Sequence, residues 1–253
     1  MMNKLPQITL AFWVMKICAT TLGETAGDLL SMTLDIGYAM SSLLLISAFL
    51  VTLVLQLRTK RYNPTLYWAV ILTTSTAGTT MSDFMDRTLG LGYASGSALL
   101  IALLLTIFAT WRLSCGSLSV DRIRGLRGES FYWAAILTSN TLGTALGDYL
   151  ADDSGLGFAG GALLIGSLIA VIATLHWKTR LSPVLLFWAA FVLTRPFGAT
   201  MGDVLTKAPA QGGLGFGTIG SSMILGGLLV ALVVAATLSQ RRRTLREAPL
   251  LLG

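Results

Sequence analysis

Eight apolar runs, separated by short polar segments, follow one another along the chain. Each run is about 20 residues long, and a helix of that length spans the hydrocarbon core of a bilayer. The pattern predicts helices over 8–29, 36–57, 65–85, 91–112, 131–150, 156–177, 184–205 and 214–238. The predicted fold class is therefore an all-α integral membrane protein with eight transmembrane helices.

The eight runs are four copies of one two-run unit. In the first copy Trp13 is followed by Gly23 ten residues on and by Asp28 fifteen residues on. The same offsets recur after Trp68, Trp133 and Trp188. A Gly-aromatic pair precedes each second run, and it lies three residues later in the fourth copy than in the others. Such recurrence indicates internal duplication, and it predicts four parallel helical-hairpin repeats with internal pseudosymmetry.

The domain organisation follows from this periodicity. We expect a single membrane domain over 1–253, with repeats at 7–62, 63–113, 129–182 and 183–240. The longer gap between the second and third Trp predicts a cytoplasmic basic linker at 114–128. Residues 241–253 are expected to form a cytoplasmic tail.

The composition excludes a soluble domain. Hydrophobic residues make up 54% of the chain and charged residues only 12%, whereas soluble domains carry about 25% charged residues. The net charge of +6 is better explained by membrane topology than by nucleic-acid binding. Basic residues collect between repeats and at the termini: Lys4, Arg58, Lys60, Arg61, Arg112, Arg122, Arg124, Arg127, Lys178, Arg180, Arg241, Arg242, Arg243 and Arg246.

This asymmetry orients the chain. The loops within repeats collect acids instead, at Asp35, Asp86, Asp152 and Asp153, although they also carry Arg87 and Lys207. The positive-inside rule then places both termini and the inter-repeat loops in the cytoplasm. Each repeat Trp is expected to anchor its helix at the cytoplasmic interface, together with the aromatic residue before it, and each repeat Asp lies near the opposite end of its helix.

A stripe of polar and small residues runs along one face of each first helix. Counted from Trp, the repeats have Thr20, Ser75, Asn140 and Arg195 at offset 7, Glu24, Thr79, Thr144 and Ala199 at offset 11, and Asp28, Asp83, Asp148 and Asp203 at offset 15. Lys16 extends the stripe in the first copy. An ionised group at mid-membrane costs about 2.5–3.5 kcal/mol on insertion scales, so the stripes should face the protein interior.

Two explanations of the stripe are open. Glycines at offsets 10 and 14 are typical of close helix packing, and the four Asp could be inherited caps. Neither helix packing nor capping accounts for Glu24, Lys16 or Arg195, which break the repeat symmetry. We therefore predict an ion pair between Glu24 and Arg195, with Lys16 able to neutralise Glu24 in some states.

The stripe suggests a binding site for a hard cation. Carboxylate, hydroxyl and amide oxygens suit Mg²⁺, Ca²⁺ or Mn²⁺. The candidate metal ligands are Glu24, Asp28, Asp83, Asp148 and Asp203, with Thr20, Ser75, Thr79, Asn140 and Thr144 as further binding residues and Lys16 and Arg195 as charge partners. No nucleotide-binding motif is present, so we expect a proton-coupled secondary transporter or exporter, with manganese as the single best ion. No cofactor is expected other than the transported cation.

Two other functions remain open. Arg195 and Lys16 could instead bind a small anionic or organic solute, or the protein could be a non-transporting scaffold. An excess of free carboxylates would favour a cation, whereas a fully paired Glu24 with an open Lys16 would favour an anion. One His and no catalytic triad argue against an enzyme, so no catalytic residue is assigned. The expected partners are the lipid bilayer, a small ion or solute and a second copy of the chain, but no nucleic acid.

The chain resembles a family of bacterial multi-span proteins described as uncharacterised membrane-anchored proteins. The resemblance rests on the opening KLPQITLAFWVMKICATTLGETAGD and on the recurring G-x4-D followed by L-G-Y/F, and it covers nearly the whole chain. It implies a location in the bacterial inner membrane and implies no substrate.

Overall fold

The computed structural model describes residues 5–123 and 125–247, with side chains up to residue 240. Lys4, Arg124, the side chains of the four tail arginines and residues 248–253 therefore lie outside the described part. The described part is all-helical, with eight α-helices and no strand. The helices are α1 Leu10–Asp28, α2 Tyr38–Arg58, α3 Pro64–Asp83, α4 Tyr93–Cys115, α5 Gly125–Asp148, α6 Gly157–Lys178, α7 Pro183–Thr206 and α8 Gly217–Glu247.

Two predicted boundaries differ from these helices. The predicted linker at 114–128 is partly helical, because α4 extends to Cys115 and α5 already begins at Gly125. The predicted tail begins inside α8, which continues to Glu247.

The first three repeats share one turn geometry. Directly after Asp28, Asp83 and Asp148 the helix widens into a single π-helical turn, at Leu29–Thr33, Phe84–Thr88 and Tyr149–Asp153. The glycine of each Gly-aromatic pair then has a positive φ of 67–79°, which other residues adopt only with strain. In the fourth repeat α7 continues to Thr206, and a short 3₁₀ turn at Pro209–Gln211 follows. This different loop holds the three extra residues of that copy.

The odd-numbered helices form a closed ring. Helix α1 packs against α3, α3 against α5, α5 against α7, and α7 back against α1. At each interface the glycine at offset 10 lies against the offset-7 residue of the next repeat: Gly23 on Ser75, Gly78 on Asn140, Gly143 on Arg195 and Gly198 on Thr20. A Cβ added to any of these glycines would approach that residue closer than 3.0 Å. Glycine is therefore required for the helices to come this close.

The even-numbered helices surround the ring, and their position corrects the hairpin prediction. Helix α2 packs mainly on α3, α4 on α5, α6 on α7 and α8 on α1. The second helix of a repeat thus covers the first helix of the next repeat rather than its own partner. Connection length explains the pairing of α2 with α3 and of α6 with α7, because loops of only about five residues join them and short loops favour adjacent helices. The connections within repeats are longer, since each contains the turn described above.

Within the described residues, five helices are long and apolar enough to cross a membrane: α2, α4, α6, α7 and the part of α8 up to Gln240. Helices α1, α3 and α5 are less apolar because each carries its polar stripe towards the ring interior and is buried along much of its length. The outer helices carry the exposed leucine, isoleucine and valine side chains instead. The chain therefore has the helices of a membrane protein, with polar groups kept inside.

Most of the repeat aromatics pack inside the protein, which corrects their predicted role as anchors at an interface, whereas Trp13 and Phe187 are half-buried. Trp68, Trp133 and Trp188 are buried. Each aromatic residue before a Trp packs against the Trp of the next repeat, with ring centroids 5.7–6.1 Å apart. The pairs are Phe12–Trp68, Tyr67–Trp133, Tyr132–Trp188 and Phe187–Trp13. These residues close one end of the ring, called the Trp end below, because packing between neighbours buries more apolar area than an interfacial position would.

Candidate ion-binding site on the ring axis

The ring interior is polar and closed from its surroundings. Each inner helix presents its stripe to the axis, because the glycines on the flanks of the stripe form the contacts with the neighbouring helices. All of the predicted site residues are buried, with at most 5% of their surface exposed. They form three layers between the Trp end and the opposite end, which we call the Asp end.

An ion pair occupies the middle layer. Both terminal nitrogens of Arg195 donate to the same carboxylate oxygen of Glu24, Oε2, each at 2.9 Å. The two residues come from the fourth and the first repeats, whose helices are adjacent in the ring. The predicted Glu24–Arg195 pair is therefore present, and both side chains are buried.

Two threonines complete this layer. Nη2 of Arg195 lies 2.6 Å from the hydroxyl oxygens of both Thr79 and Thr144. The same hydroxyls lie 3.3 and 3.2 Å from Glu24 Oε2 and can donate to it. The fourth member of this layer, Ala199, is apolar and packs against Gly147. The pair is thus surrounded by hydrogen-bonding groups, as a buried charge requires.

The four repeat Asp side chains lie at the Asp end in two pairs, each joined by a base. Arg87 bonds to Asp83 at 3.1 Å and to Asp148 at 3.2 Å. Lys207 bonds to Asp203 at 3.3 Å and to Asp28 at 3.5 Å. The Asp layer thus has twofold rather than fourfold character, with adjacent repeats sharing one base. Burial alone would lower the pKa of Lys207, but Asp203 and Asp28 raise it more, so its pKa lies above the usual range.

Sequence reasoning assigns Arg87 and Lys207 only to loops and misses this role. A signal for it exists, because both lie nineteen residues after their repeat Trp and four residues after their repeat Asp. On a helix that spacing places a base beside a carboxylate. The first and third repeats have Met32 and Asp152 at the same offset. A base therefore occurs only in every second repeat, and this alternation predicts the twofold arrangement of the Asp pairs.

The five predicted metal ligands fall into two groups. Carboxylate oxygens of Glu24, Asp28 and Asp203 lie within 4.8 Å of one another. This distance allows them to share one cation. Asp83 and Asp148 lie on the other side of the axis, where Arg87 bonds to both. The structure therefore brings three of the five acids into one candidate site.

The third layer, next to the Trp end, is basic. The Lys16 ammonium lies 3.5 Å from Asn140 Oδ1 and 4.2 Å from the centre of the Phe191 ring. In the described part of the chain it forms no ion pair, and Glu24 is paired with Arg195 instead. Thr20 donates to the carbonyl oxygen of Thr194 at 3.1 Å and so joins α1 to α7. Lys16 therefore does not neutralise Glu24 in this state.

The condition set for an anion is met, because Glu24 is paired with Arg195 and Lys16 is without a carboxylate among the described residues. The condition set for a cation is met only in part. Towards the Asp end five carboxyl groups share three bases, so acidic groups outnumber basic ones, but each of the five contacts a base.

Comparison with known proteins identifies the chain by its repeats alone. No curated protein and no solved structure matches it. A repeat family described as a repeat of unknown function, DUF347, matches residues 11–62, 66–116, 131–182 and 186–242. Each match contains one polar stripe and the outer helix that follows it. The chain therefore belongs to the DUF347 repeat family and contains four copies of its repeat.

Proposed function

We propose that the protein is a proton-coupled secondary transporter of a hard divalent cation, with Mn²⁺ as the preferred ion. The observation that carries the proposal is the cluster of Glu24, Asp28 and Asp203, three buried carboxylates within 4.8 Å. Oxygen ligands of this kind suit Mg²⁺, Ca²⁺ and Mn²⁺. Ionisable groups inside a membrane are expensive and commonly mark ion pathways.

The proposal includes eight membrane spans. Helices α1, α3 and α5 have 19, 20 and 24 residues, or roughly 29–36 Å of length, enough to cross a hydrocarbon core of about 30 Å. Their polar stripes are compatible with a membrane because they face the ring interior. The basic inter-repeat loops support cytoplasmic termini in the inner membrane, which places the Asp end on the outer side.

The contacts of Lys207 suggest how the carboxylate cluster exchanges one bound cation for another. Its ammonium group bonds to Asp28 and Asp203, two of the three proposed ligands. It is therefore a tethered cation that a divalent ion has to displace. Lys207 is partly exposed, so it can move away without crossing the ring. In this scheme the site is neutralised alternately by Lys207, by protons and by the metal ion.

Transport in proteoliposomes tests the proposal. The purified protein is reconstituted, and Mn²⁺ entry is followed with an entrapped fluorescent chelator under an imposed pH gradient. We expect saturable uptake that Glu24→Gln and Asp203→Asn each abolish. Asp35→Asn is the matched control, because Asp35 is an exposed loop carboxylate with a positive φ of 56° that Asn also tolerates.

Three results would contradict the proposal. The first is wild-type uptake of Mn²⁺, Mg²⁺ and Ca²⁺ no faster than in empty liposomes. The second is Glu24→Gln transporting at the wild-type rate. The third is flux of an anion but of no metal in the same vesicles, which would favour the alternative function. Absence of any flux from correctly folded protein would instead support a scaffold.

A further inference from the structure

Several buried polar atoms have no hydrogen-bond partner among the described residues, and three of them are Ser75 Oγ, Asn140 Nδ2 and Arg195 Nε. All three residues are fully buried and occupy offset 7 of their repeats. They therefore lie in one layer of the ring, in which Ser75 Oγ is next to Gly23 of α1. Buried polar groups are almost always satisfied, so each such atom requires an explanation.

Lys16 faces the same layer from α1. Its ammonium contacts the amide oxygen of Asn140 and the Phe191 ring, neither of which carries a negative charge. The side chain is fully buried. A buried charge is costly unless a group of opposite charge is nearby, and no carboxylate in the described part of the chain forms an ion pair with it.

We propose that this layer binds a small monovalent anion between Lys16, Ser75, Asn140 and Arg195. The four groups can all donate hydrogen bonds: an ammonium, a hydroxyl, an amide NH₂ and a guanidinium N–H. No carboxylate of the described residues belongs to the layer. A ligand that is bound by four donor groups and by no carboxylate is expected to carry negative charge.

The charge of the ligand follows from the middle layer. Arg195 is already neutralised through its terminal nitrogens by Glu24, so only the charge of Lys16 remains to be balanced. One negative charge is sufficient. Gly23, Gly78 and Gly143 bring the ring helices into direct contact with the residues of this layer, which restricts the ligand to a small ion such as a halide.

The anion site and the proposed cation site are adjacent, because Arg195 belongs to the first and pairs with Glu24 of the second. The anion site otherwise uses Lys16 and the offset-7 residues, whereas the cation cluster lies towards the Asp end. Its role is to compensate the buried ammonium, and it can be present whether or not the protein transports a metal.

Thermal unfolding of the full-length protein in detergent tests the anion site. Bromide is titrated against gluconate at constant ionic strength, and tryptophan fluorescence reports the midpoint. We expect bromide to raise the midpoint saturably in the wild type and in Lys207→Met, which removes an ammonium at the Asp end. We expect no bromide effect in Lys16→Met.

Asn140→Asp distinguishes anion binding from a purely structural role of Lys16. It places a tethered carboxylate beside the ammonium, and we expect it to raise the midpoint without bromide and to abolish the response to bromide. Ser75→Ala, which keeps the charge but removes one donor, should weaken the response. A wild-type midpoint that does not depend on bromide, or an equal response in wild type and Lys16→Met, would overturn the proposal.

Discussion

Arg195 places both of its terminal nitrogens 2.9 Å from one oxygen of Glu24, a residue 171 positions away in the chain. The contact joins the first and last ring helices, α1 and α7. It also includes Thr79 and Thr144 of the two remaining ring helices. All four inner helices therefore meet at one guanidinium group, which makes this pair a determinant of both ring closure and charge balance.

Removal of Arg195 should destabilise the protein more than neutralisation of Glu24. Arg195→Ala leaves a buried carboxylate without its base, and breaking a buried pair costs about 3–5 kcal/mol. In Glu24→Gln the amide oxygen and the two threonine hydroxyls still accept from Arg195, so we expect a smaller loss. The double variant Glu24→Gln with Arg195→Gln should recover stability without transport. Denaturant unfolding in detergent measures the order of stability of these variants. A double variant less stable than Arg195→Ala would contradict the prediction.

A methyl group on a ring glycine should disrupt the helix contacts. Gly78→Ala directs its Cβ within 2.9 Å of the backbone of Asn140 and Thr141, and backbone atoms cannot move aside as a flexible side chain can. Gly226→Ala is the control, since its Cβ meets nothing within 4 Å and Ala favours a helix over Gly by about 0.5–1 kcal/mol. We expect the midpoint of thermal unfolding to fall in the first variant and to stay or rise in the second. Equal midpoints would show that the ring is loosely packed.

The contributions of the Tyr67 and Tyr132 hydroxyls to the free energy of unfolding should be coupled. They lie 2.7 Å apart and are buried at the Trp end. Replacing either tyrosine with Phe leaves the other hydroxyl buried without this partner, at a cost of about 1–3 kcal/mol. The double Phe variant should be less destabilised than the sum of the two, because Phe12 and Phe187 show that the ring accepts Phe at the equivalent positions. A double-mutant cycle on unfolding free energies measures the coupling, and additive effects would exclude it.

Lys207→Gln should lower the Mn²⁺ concentration needed for half-maximal transport several-fold. The change removes the tethered ammonium that competes for Asp28 and Asp203 but keeps a hydrogen-bonding side chain. Arg87→Gln is the matched control, because it removes the base from the other Asp pair, outside the proposed metal cluster. Initial rates in proteoliposomes give the KM for both. An unchanged KM in Lys207→Gln, with the protein folded, would show that Lys207 does not compete with the ion.

Native Cys115 offers a direct test of topology. It is exposed at the end of α4, whereas Cys18 is buried. With the inter-repeat loops in the cytoplasm, a membrane-impermeant maleimide should label Cys115 only after the cells are permeabilised. In a Cys115→Ser background, Asp153→Cys should be labelled on intact cells, because residue 153 lies in a loop at the Asp end. The reverse labelling pattern would invert the orientation.

Much of the site can be predicted from offsets within the repeat. Residues at offsets 7, 11 and 15 share one helix face, so the sequence alone groups Glu24, Arg195 and the four Asp. The helices and their order follow equally from the apolar runs. The position of the outer helices is predictable only in part. The short loops favour the contacts of α2 with α3 and of α6 with α7, whereas no short connection signals the contacts of α4 with α5 or of α8 with α1. The contact of α8 with α1 depends on closure of the ring.

The sequence by itself determined that this is a four-repeat helical membrane-type chain whose charges must avoid lipid, because apolar length and the cost of buried charge are properties of each segment alone. Only the tertiary structure decided which charges meet. Whether Lys16, Arg87 or Lys207 serves a given carboxylate depends on distances of a few ångströms between helices far apart in the chain. The closed ring sets those distances, so that Arg195 pairs with Glu24, two bases each join two Asp, and Lys16 has no carboxylate partner in the part of the chain that the structure describes.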